Sequence, residues 1–499
     1  MANSTSATVS SAIPGWQEFL TLLEPSLRIL FGHVQTLRQQ PPTPQRTLDF
    51  EMETENVLCE MGRTLADHEY NHIEPEQRQD CPLRMRFGDQ EYRRRPKSHN
   101  TIATLFGTIE LYRYLYEPTE AGEHAIFPLE LQLGVEAGLA TPALAERVGL
   151  WSAEHEQAQV LQLLEQEHNV SWSVTSLRKL TASLRDGMAS FREDTQVAKL
   201  LEMLDKATQS KGKHRPVLAA GRDGIHTPIR KAGYHEGATA TVSVHDRRGR
   251  RIGTVYLGRM PESGQTTLSE QLTSLIQRVL NAWHAQGGAR PRLAYLTDAG
   301  FHPKDYYLRV LRHMADPWQP GKKLCWQWIV DYWHACGYVN DLAESLFGDG
   351  ARAAGWFRKW RHWLRDRQQG LANILRSAMW HYNNSKQTKS ADKKFWEAYR
   401  YLRKHAVWMH YASYRKAGLP IGSGVTEAAC KTVFAERLKR SGMTWGLAGG
   451  QVILDLRVLV LSKVWQETHQ AYLSSRPQPA DVQPASTGVG RGQTFKMAA

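Results

Sequence analysis

Two short apolar runs that lead into aspartates constrain the fold of this chain more than any other feature. PVLAAGRD (216–223) ends at Asp223, and RLAYLTD (292–298) ends at Asp298. Short runs that are apolar on both faces are typical of buried central strands in an α/β sheet. Open sheets of this class place reactive groups just beyond the ends of their strands. The two aspartates are therefore the first candidates for a functional site.

The segments around these two strands predict the architecture. From the polar linker SKGKHR (210–215) onward, the order is three strands, a helix, a strand, a helix and a strand, which indicates an RNase H-like α/β core. In chain order, the predicted elements are the strand ending at Asp223, the strands ATATVSVHD and RIGTVYLG around the basic turn RRGR, a helix at 267–285, the strand ending at Asp298, a helix around 303–314, a strand within LCWQWIVDYWH (324–334), a polar helical insertion from 335 to about 416, and helices at 425–438 and 446–467.

The N-terminal part predicts a mainly helical region with one β-hairpin. Residues 16–80 have helical apolar spacing, and TIATLFGTIELYRYLYE (101–117) has the alternation of a hairpin around Gly107. Residues 141–186 predict helices with a short turn at 168–170, after which a second helix carries Arg178 and Lys179. This pattern is that of a DNA-binding helix-turn-helix, and an ordinary helical hairpin has the same pattern.

These patterns divide the chain into six segments. We expect a helical region at 1–95, a β-hairpin and helical DNA-binding region at 96–210, the first part of the RNase H-like core at 211–334, a basic Trp-rich helical insertion at 335–416, the C-terminal helices of the core at 417–475, and a disordered tail at 476–499.

The charge of the chain indicates a polyanionic partner. There are 63 lysines and arginines against 50 aspartates and glutamates, which gives a net charge of +13 and a pI near 9.4. Residues 351–416 alone hold 16 of these cations against Asp366, Asp392 and Glu397. The expected phosphate contacts there are Arg358, Lys359, Arg361 and Arg365. They surround Trp356, Trp360 and Trp363, whose i, i+4, i+7 spacing is more often a buried stripe than a base-stacking platform.

Two further classes of protein fit the sequence poorly. The five cysteines are odd in number and scattered, which argues against a disulfide framework and for a reducing compartment. No apolar run approaches the roughly 18 residues that a membrane helix needs, and the N-terminal residues lack the pattern of a secretion signal. We therefore expect a cytoplasmic protein with no membrane partner.

Glu427 is the third candidate carboxylate, on the first turn of a helix after Gly422-Ser423-Gly424. Asp223 and Asp298 would repel each other unless a divalent cation lay between them, and their hard oxygen ligands suit Mg²⁺. Three carboxylates can hold two Mg²⁺ ions for phosphoryl transfer. Each residue also has a simpler interpretation, since Asp-Gly is common in turns and a glutamate on a first turn complements the helix dipole.

The blocks that contain these residues resemble the DDE transposases of bacterial insertion sequences, in particular the ISKra-type group, which is akin to Mutator-like transposases. The resemblance runs from about residue 100 to 470 and is most specific in LPIGSGVTEAACKTVFAERLKRSGMTWGLAGGQVILDLRVLVLSKVW (419–465). GRDG (221–224) and LTDAG (296–300) resemble the blocks with the first and second aspartate. YEPTEAGEHAIF (116–127) lacks the cysteines that the family usually has there, so no metal-binding role is expected for it.

This resemblance implies an enzyme that cleaves DNA and transfers the strand, in which Asp223, Asp298 and Glu427 hold two Mg²⁺ ions that Mn²⁺ can replace. It implies double-stranded DNA as partner, both element ends and target, a homo-oligomer, and association with the bacterial nucleoid. It also implies a role for Asp331-Tyr332-Trp333-His334, which matches an Asp/Cys-x-x-His motif of Mutator-like transposases. Asp331 and His334 can share one helical face, and a purely structural hydrogen-bonded pair is the alternative. Zinc at Cys325, His334 and Cys336 matches no standard spacing.

Two other functions remain open. A DNA-binding protein descended from a transposase, without transposition activity, would keep the basic surface; the intact carboxylate set argues against it. A hydrolase that uses paired carboxylates on a sugar would need no divalent metal, and the basic surface argues against that alternative.

Overall fold

The computed structural model describes residues 15–74, 81–120, 124–384, 388–422, 424–476 and 482–484. The chain forms two compact units, one of residues 1–149, 157–184 and 473–499, and one of residues 150–156 and 185–472. The protein is mixed α/β, 59% helical, with a five-stranded mixed sheet in the second unit. None of the helices within the described ranges is long and apolar enough to cross a membrane.

The first unit is built from helices and a small antiparallel sheet. The predicted hairpin is confirmed, with Ile102 opposite Ile109, and Val482–Pro484, within the predicted tail, pairs with the first strand. Residues 477–481 and 485–499 of that tail lie outside the described structure. The elements are α1 (Trp16–Gln39), α2 (Pro44–Ile73), β1 (Arg84–Phe87), β2 (Gln90–Thr104), β3 (Gly107–Pro118), α3 (Pro128–Gln132), α4 (Pro142–Glu154), α5 (Gln157–His168), the start of α6 (Val174–Gln209), and the last strand, β9 (Val482–Pro484).

The sheet of the second unit has the order β6-β5-β4-β7-β8. Its strands are β4 (Val217–Ile229), β5 (Gly233–His245), β6 (Arg251–Arg259), β7 (Arg292–Thr297) and β8 (Trp326–Val330). The pairs β6–β5 and β5–β4 are antiparallel, whereas β4–β7 and β7–β8 are parallel. The expectation that the first strand ends at Asp223 is wrong, because residues 224–229 stay paired with β5 after the pairing with β7 stops at Gly221.

One helix and one strand of the sheet region are shorter than predicted. After α7 (Thr266–Ala285), α8 (Phe301–Arg309) is shorter than predicted because Val310, at φ −112°, ends it before a 3₁₀ turn. The predicted strand at 324–334 is also shorter, since Asp331 already caps α9 (Tyr332–Phe347). His334 therefore lies on the first turn of a helix.

The predicted helical insertion packs on the same apolar core as the sheet. It contains α9, α10 (Ala351–Asp366), α11 (Gly370–Asn383), α12 (Lys389–Lys404) and α13 (Tyr411–Lys416). Trp360 is buried in a core that also contains Trp328 of β8, and Trp356 and Trp363 are partly buried against it. The tryptophan spacing thus marks a buried stripe, as predicted.

The C-terminal helices of the second unit are more segmented than predicted. The stretch predicted as one helix contains α14 (Gly424–Ala429), a π-helical turn (Cys430–Ala435) and α15 (Glu436–Leu438). The predicted helix at 446–467 is divided into α16 (Leu447–Leu461) and α17 (Trp465–Ser475). Lys463 lies between them at φ +57°, and the bonds Lys463 N–H to Val460 O and Val464 N–H to Leu459 O form the Schellman ending of α16.

Candidate active site

Three aspartates meet at one edge of the five-stranded sheet. Asp298 follows β7, Asp331 follows β8, and Asp223 lies on β4 two residues beyond the last residue paired with β7. They line one cleft with a volume of about 560 Å³. The described residues around this cleft are Arg222, Asp223, Asp298, Asp331, Trp333, His334, Gly337, Tyr338 and Asp341.

Asp223 is held by a main-chain hydrogen bond and lies beside a buried thiol. Its Oδ1 accepts from the N–H of Gly224 at 2.8 Å. The Cys430 Sγ lies 3.4 Å from Thr239 Oγ1, and Thr239 pairs with Asp223 across the strands. Burial raises the pKa of Asp223 to about 6, and the charge of Asp298 contributes to this shift. Both carboxyl groups line the same cleft.

Asp298 lies in a tight turn that three hydrogen bonds hold. Its Oδ1 accepts from Gly300 N–H at 2.8 Å, and the next residue, Ala299, has φ +62° and bonds its N–H to Thr297 Oγ1 at 3.1 Å. A left-handed conformation is strained for alanine and persists only where its surroundings impose it. The hydroxyl group of Tyr401, on α12, completes the turn by donating to the main-chain oxygen of Asp298 at 2.5 Å. The insertion therefore helps to shape the candidate site.

Asp331 and His334 combine a structural role with a position in the cleft. Oδ1 of the buried Asp331 accepts from His334 N–H at 2.7 Å, so Asp331 caps α9. The His334 ring lies edge-on to Tyr338 and Tyr401, with centroids 5.3 and 5.6 Å away. His334 and Asp223 line the same cleft, so a group bound there beside Asp223 would also meet His334.

The helix with Glu427 starts beside the same cleft, although the side chain of Glu427 lies outside the described structure. The N–H of Tyr332 donates to the carbonyl of Ile421 at 2.9 Å. A Cβ at Gly422 would lie 3.2 Å from Trp333 Cδ1 and 3.8 Å from Asp331 Oδ2. The segment that precedes α14 therefore contacts residues that line the cleft.

Two contacts place α14 on the central strands. The hydroxyl groups of Thr426 and Thr241 are 3.0 Å apart, and Thr426 is buried. A Cβ at Gly221 would lie only 2.1 Å from Thr426 Oγ1, so glycine is needed at this position of β4. The main chain of Glu427 follows Thr426 directly, close to the strand position of Asp223.

The donor set of this cleft suits a hard divalent cation. Asp223 and Asp298 supply carboxylate oxygens, which Mg²⁺ prefers. Within the described part of the chain, no three His, Cys, Asp or Glu side chains form a group that could hold a metal ion. That search does not include the side chain of Glu427. A third carboxylate ligand would have to come from outside the described side chains.

Several side chains of the cleft escaped the sequence analysis. Tyr338 and Asp341 lie four and seven residues after the predicted His334 on one helical face, so the position of α9 could have revealed them. The buried Arg222 donates to Ser269 Oγ at 2.8 Å and to Gln265 Oε1 at 2.9 Å. Tyr401 reaches Asp298 from 103 positions away and Cys430 reaches Gly224 from 206 positions away, and no local pattern indicates such contacts.

None of the predicted DNA-binding residues is among the described residues that line the cleft. Arg358 and Lys359 are exposed on α10, with Lys359 Nζ 5.1 Å from the Trp360 ring, and Arg361 is half-buried. Arg365 pairs with Asp366 at 2.9 Å. In the first unit, Arg178 and Lys179 are exposed at the start of α6, and Arg178 donates to Gln157 Oε1 at 3.1 Å.

The site is a carboxylate-lined cleft on an α/β sheet. A comparison with protein-family models gives no match to the chain, and neither does a comparison with curated proteins.

Proposed function

We propose that this chain is a DDE-type transposase, an enzyme that cleaves DNA and joins the freed strand to a target in a reaction that depends on Mg²⁺. The observation that carries the proposal is the meeting of Asp223 and Asp298 in one cleft, with α14 beginning beside it. The resemblance of LPIGSGVTEAAC (419–430) to the family's block with the third carboxylate supports Glu427 as the remaining ligand.

The topology supports an RNase H-like core as part of this proposal. An antiparallel set, β6-β5-β4, continues as two parallel strands, β7 and β8, which is the order predicted for such a core. Helices α9 to α13 separate β8 from α14 and would be the insertion of this core. Reactive groups belong at the carboxyl ends of the parallel strands, where Asp298 and Asp331 lie.

Each residue of the cleft would have its own role in this reaction. Asp223, Asp298 and Glu427 would hold two Mg²⁺ ions, which stabilise the attacking and leaving oxygens of a phosphodiester when bound. Tyr401 and the N–H of Gly300 keep the Asp298 turn in place. His334, on the first turn of α9, can donate a hydrogen bond from its ring to a phosphate oxygen beside Asp223. Asp331 caps that helix and so orients His334.

The expected substrate is double-stranded DNA, as element ends and as target. The basic surface of the insertion would contact the phosphates, because the cations of residues 351–416 outnumber the acids there by 16 to three. A homo-oligomer that pairs two ends, in the bacterial cytoplasm at the nucleoid, belongs to the same proposal.

The experiment that tests the proposal uses the DNA that flanks the gene as substrate. Purified protein with Mg²⁺ should nick this DNA at the element ends and join the freed 3′ ends to a supercoiled plasmid. Asp298→Ala should abolish both products, whereas Glu270→Gln, at an exposed carboxylate of α7, should retain them. Products that form equally in excess EDTA, or with Asp298→Ala, would refute the proposal.

A further inference from the structure

The end of the five-stranded sheet opposite the aspartates is strongly basic. Three segments lie there: 210–215, which precedes β4, 246–251, which joins β5 to β6, and 415–418, at the end of α13. Together they contain nine lysines and arginines and one acidic residue, Asp246. The first residue of β4 is six positions, and therefore about 20 Å along the strand, from Asp223. The basic segments are thus well separated from the cleft.

Hydrogen bonds join the three segments into one surface. His214 N–H donates to Arg247 O at 3.3 Å, and Arg247 Nε donates to His214 O at 3.2 Å. Arg292, at the start of β7, donates to the main-chain oxygens of Arg215, at 3.0 Å, and Ala417. Lysines and arginines that are far apart in the sequence are therefore held side by side.

The acidic residues near this surface pair with only some of its cations. Oδ1 of Asp246 accepts from two main-chain N–H groups of its own turn at 2.8 Å, and its Oδ2 pairs with Arg250 Nε at 3.0 Å. Arg415 pairs with Asp366. Within the described part of the chain, four other exposed cations of these segments form no ion pair: Lys211, Lys213, Arg248 and Arg251.

A second cleft extends this surface along the edge strand β6. It has a volume of about 410 Å³, and its lining includes Arg251, Lys199, Lys206 and Lys463. Glu202, the one acidic side chain among its described lining residues, accepts from Lys199 Nζ at 2.8 Å and from Lys206 Nζ. Arg251 and Lys463 have no such partner in the described structure, so the cleft carries a net positive charge.

The close packing of these cations is unfavourable in the protein alone. Burial and the charge of Arg215 lower the pKa of Arg292, and burial and the charges of Arg292 and Lys213 lower the pKa of His214. A bound polyanion would relieve this repulsion, and the release of its counterions would favour binding. The cations lie on several loops and not in one pocket. This arrangement fits the regularly spaced phosphates of a DNA backbone better than a single small anion.

The position of the surface indicates which DNA it holds. The aspartates follow the carboxyl ends of the parallel strands, whereas the basic segments lie at the amino ends of β4 and β7. A duplex laid across the cleft leaves the opposite end of the sheet uncovered, and bending it around the sheet costs free energy.

We propose that this surface binds the phosphate backbone of a second DNA duplex, so that one chain bridges two duplexes. The proposal rests on the proposed function, because it takes the first duplex to be bound at the cleft. It adds a second DNA-binding surface on the same unit, which acts through charge and without regard to base sequence.

The test measures the capture of a second duplex by protein bound to a first. End DNA on beads is saturated with protein in Ca²⁺, which replaces Mg²⁺ so that no strand is cut, and a labelled duplex of unrelated sequence is then added. We expect wild-type protein to retain the labelled duplex. The combined variant Lys211→Gln, Lys213→Gln, Arg248→Gln and Arg251→Gln should lose most of this capture at physiological salt. The log–log salt slope of capture should fall by roughly 3–4, while binding to the bead DNA stays as in the wild type.

The matched control keeps the charge at the same four positions. Lys211→Arg, Lys213→Arg, Arg248→Lys and Arg251→Lys together should capture the labelled duplex as the wild type does. A second measurement needs no variant. In wild-type protein on the beads, the labelled duplex should protect Lys211 and Lys213 from acylation, as measured by mass spectrometry, relative to bead DNA alone.

Equal capture by the glutamine variant, or no protection of the two lysines, would overturn this surface alone, because binding to the bead DNA would remain. An equal loss in the charge-conserving variant would also overturn it. If the glutamine variant lost both DNAs in the same proportion, the surface would contact the duplex in the cleft, and the second duplex would be refuted. A wild-type protein that binds neither DNA would overturn both this surface and the proposed function.

Discussion

The hydroxyl group of Tyr401 donates a 2.5 Å hydrogen bond to the main-chain oxygen of Asp298. Tyr401 belongs to α12 of the helical insertion, and Asp298 follows the central strand β7. The Tyr401 ring also stacks on Tyr338 of α9, with centroids 3.8 Å apart. The insertion is therefore joined to the turn that carries a proposed metal ligand, in addition to its proposed contact with DNA.

Tyr401→Phe should lower the cleavage rate while leaving the fold intact. Removal of one hydrogen bond costs about 1 kcal/mol, and here the loss frees the strained turn at Ala299. We expect a reduction in rate of about 5- to 20-fold. Single-turnover cleavage and thermal unfolding measure the two effects, and Tyr399→Phe on the same helix is the control. A large loss of thermal stability without a loss of rate would contradict this role.

Ala at Asp223, Asp298 or Glu427 should abolish cleavage and leave DNA binding largely intact. The three carboxylates are proposed to hold the metal ions, whereas affinity should come from the basic side chains. Cleavage assays and gel-shift titrations on the same DNA separate the two. Normal nicking by Glu427→Ala would show that another group is the third ligand.

Cleavage should require Mg²⁺ or Mn²⁺ and fail with Ca²⁺. Ca²⁺ takes a larger and looser oxygen shell, which spoils the in-line arrangement of attacking and leaving groups. The measurement is the rate of nicking with each ion at fixed ionic strength. Equal rates with Ca²⁺ and Mg²⁺ would contradict two-metal chemistry at this cleft.

Asp223→Asn should stabilise the metal-free protein at neutral pH. Burial raises the pKa of Asp223 from 3.8 to about 6, so the folded protein holds this proton more tightly than the unfolded chain does. Its ionisation therefore lowers the free energy of unfolding as pH rises from about 4 to 6, by at most about 3 kcal/mol. In EDTA, the melting temperature of Asp223→Asn should exceed that of the wild-type protein at pH 7.5. This difference should disappear near pH 4. A gain of equal size at both pH values would have another cause.

Neutralising Arg358, Lys359, Arg361 and Arg365 together should weaken binding to every DNA sequence alike. Because Arg365 pairs with Asp366, we expect the log–log salt slope to fall by roughly 3 and not the full 4 that four free cations would give. The preference for the element ends should remain, since we assign recognition of the end sequence to the helix with Arg178 and Lys179. Salt titrations with end DNA and random DNA measure both quantities. Loss of end-specific binding alone would reverse this assignment.

The sequence predicts the site best where local pattern and topology agree. The apolar runs before Asp223 and Asp298 predict buried strands, and parallel pairing of β4 with β7 brings their ends together. The length of β4 could not be predicted in this way. Residues 224–229 do not form an apolar run, and they extend the strand because they pair with β5. Tyr401 and Cys430 could not be predicted at all. Their contacts depend on how distant helices pack, and nothing in their own sequence neighbourhood differs from an ordinary helix.

The π-helical turn at Cys430–Ala435 fixes how far α14 is rotated about its axis relative to the helices that follow it. One extra residue in a helical turn offsets the two sides by about 100°, the rotation of a single residue. Loss of one residue from 430–435 would therefore rotate α14, and the main chain of Glu427 with it, away from its orientation against β4. A deletion in the loop at 441–446 carries no such rotation. The number of residues between Glu427 and α15 is thus under a geometric constraint that the loop before α16 does not share.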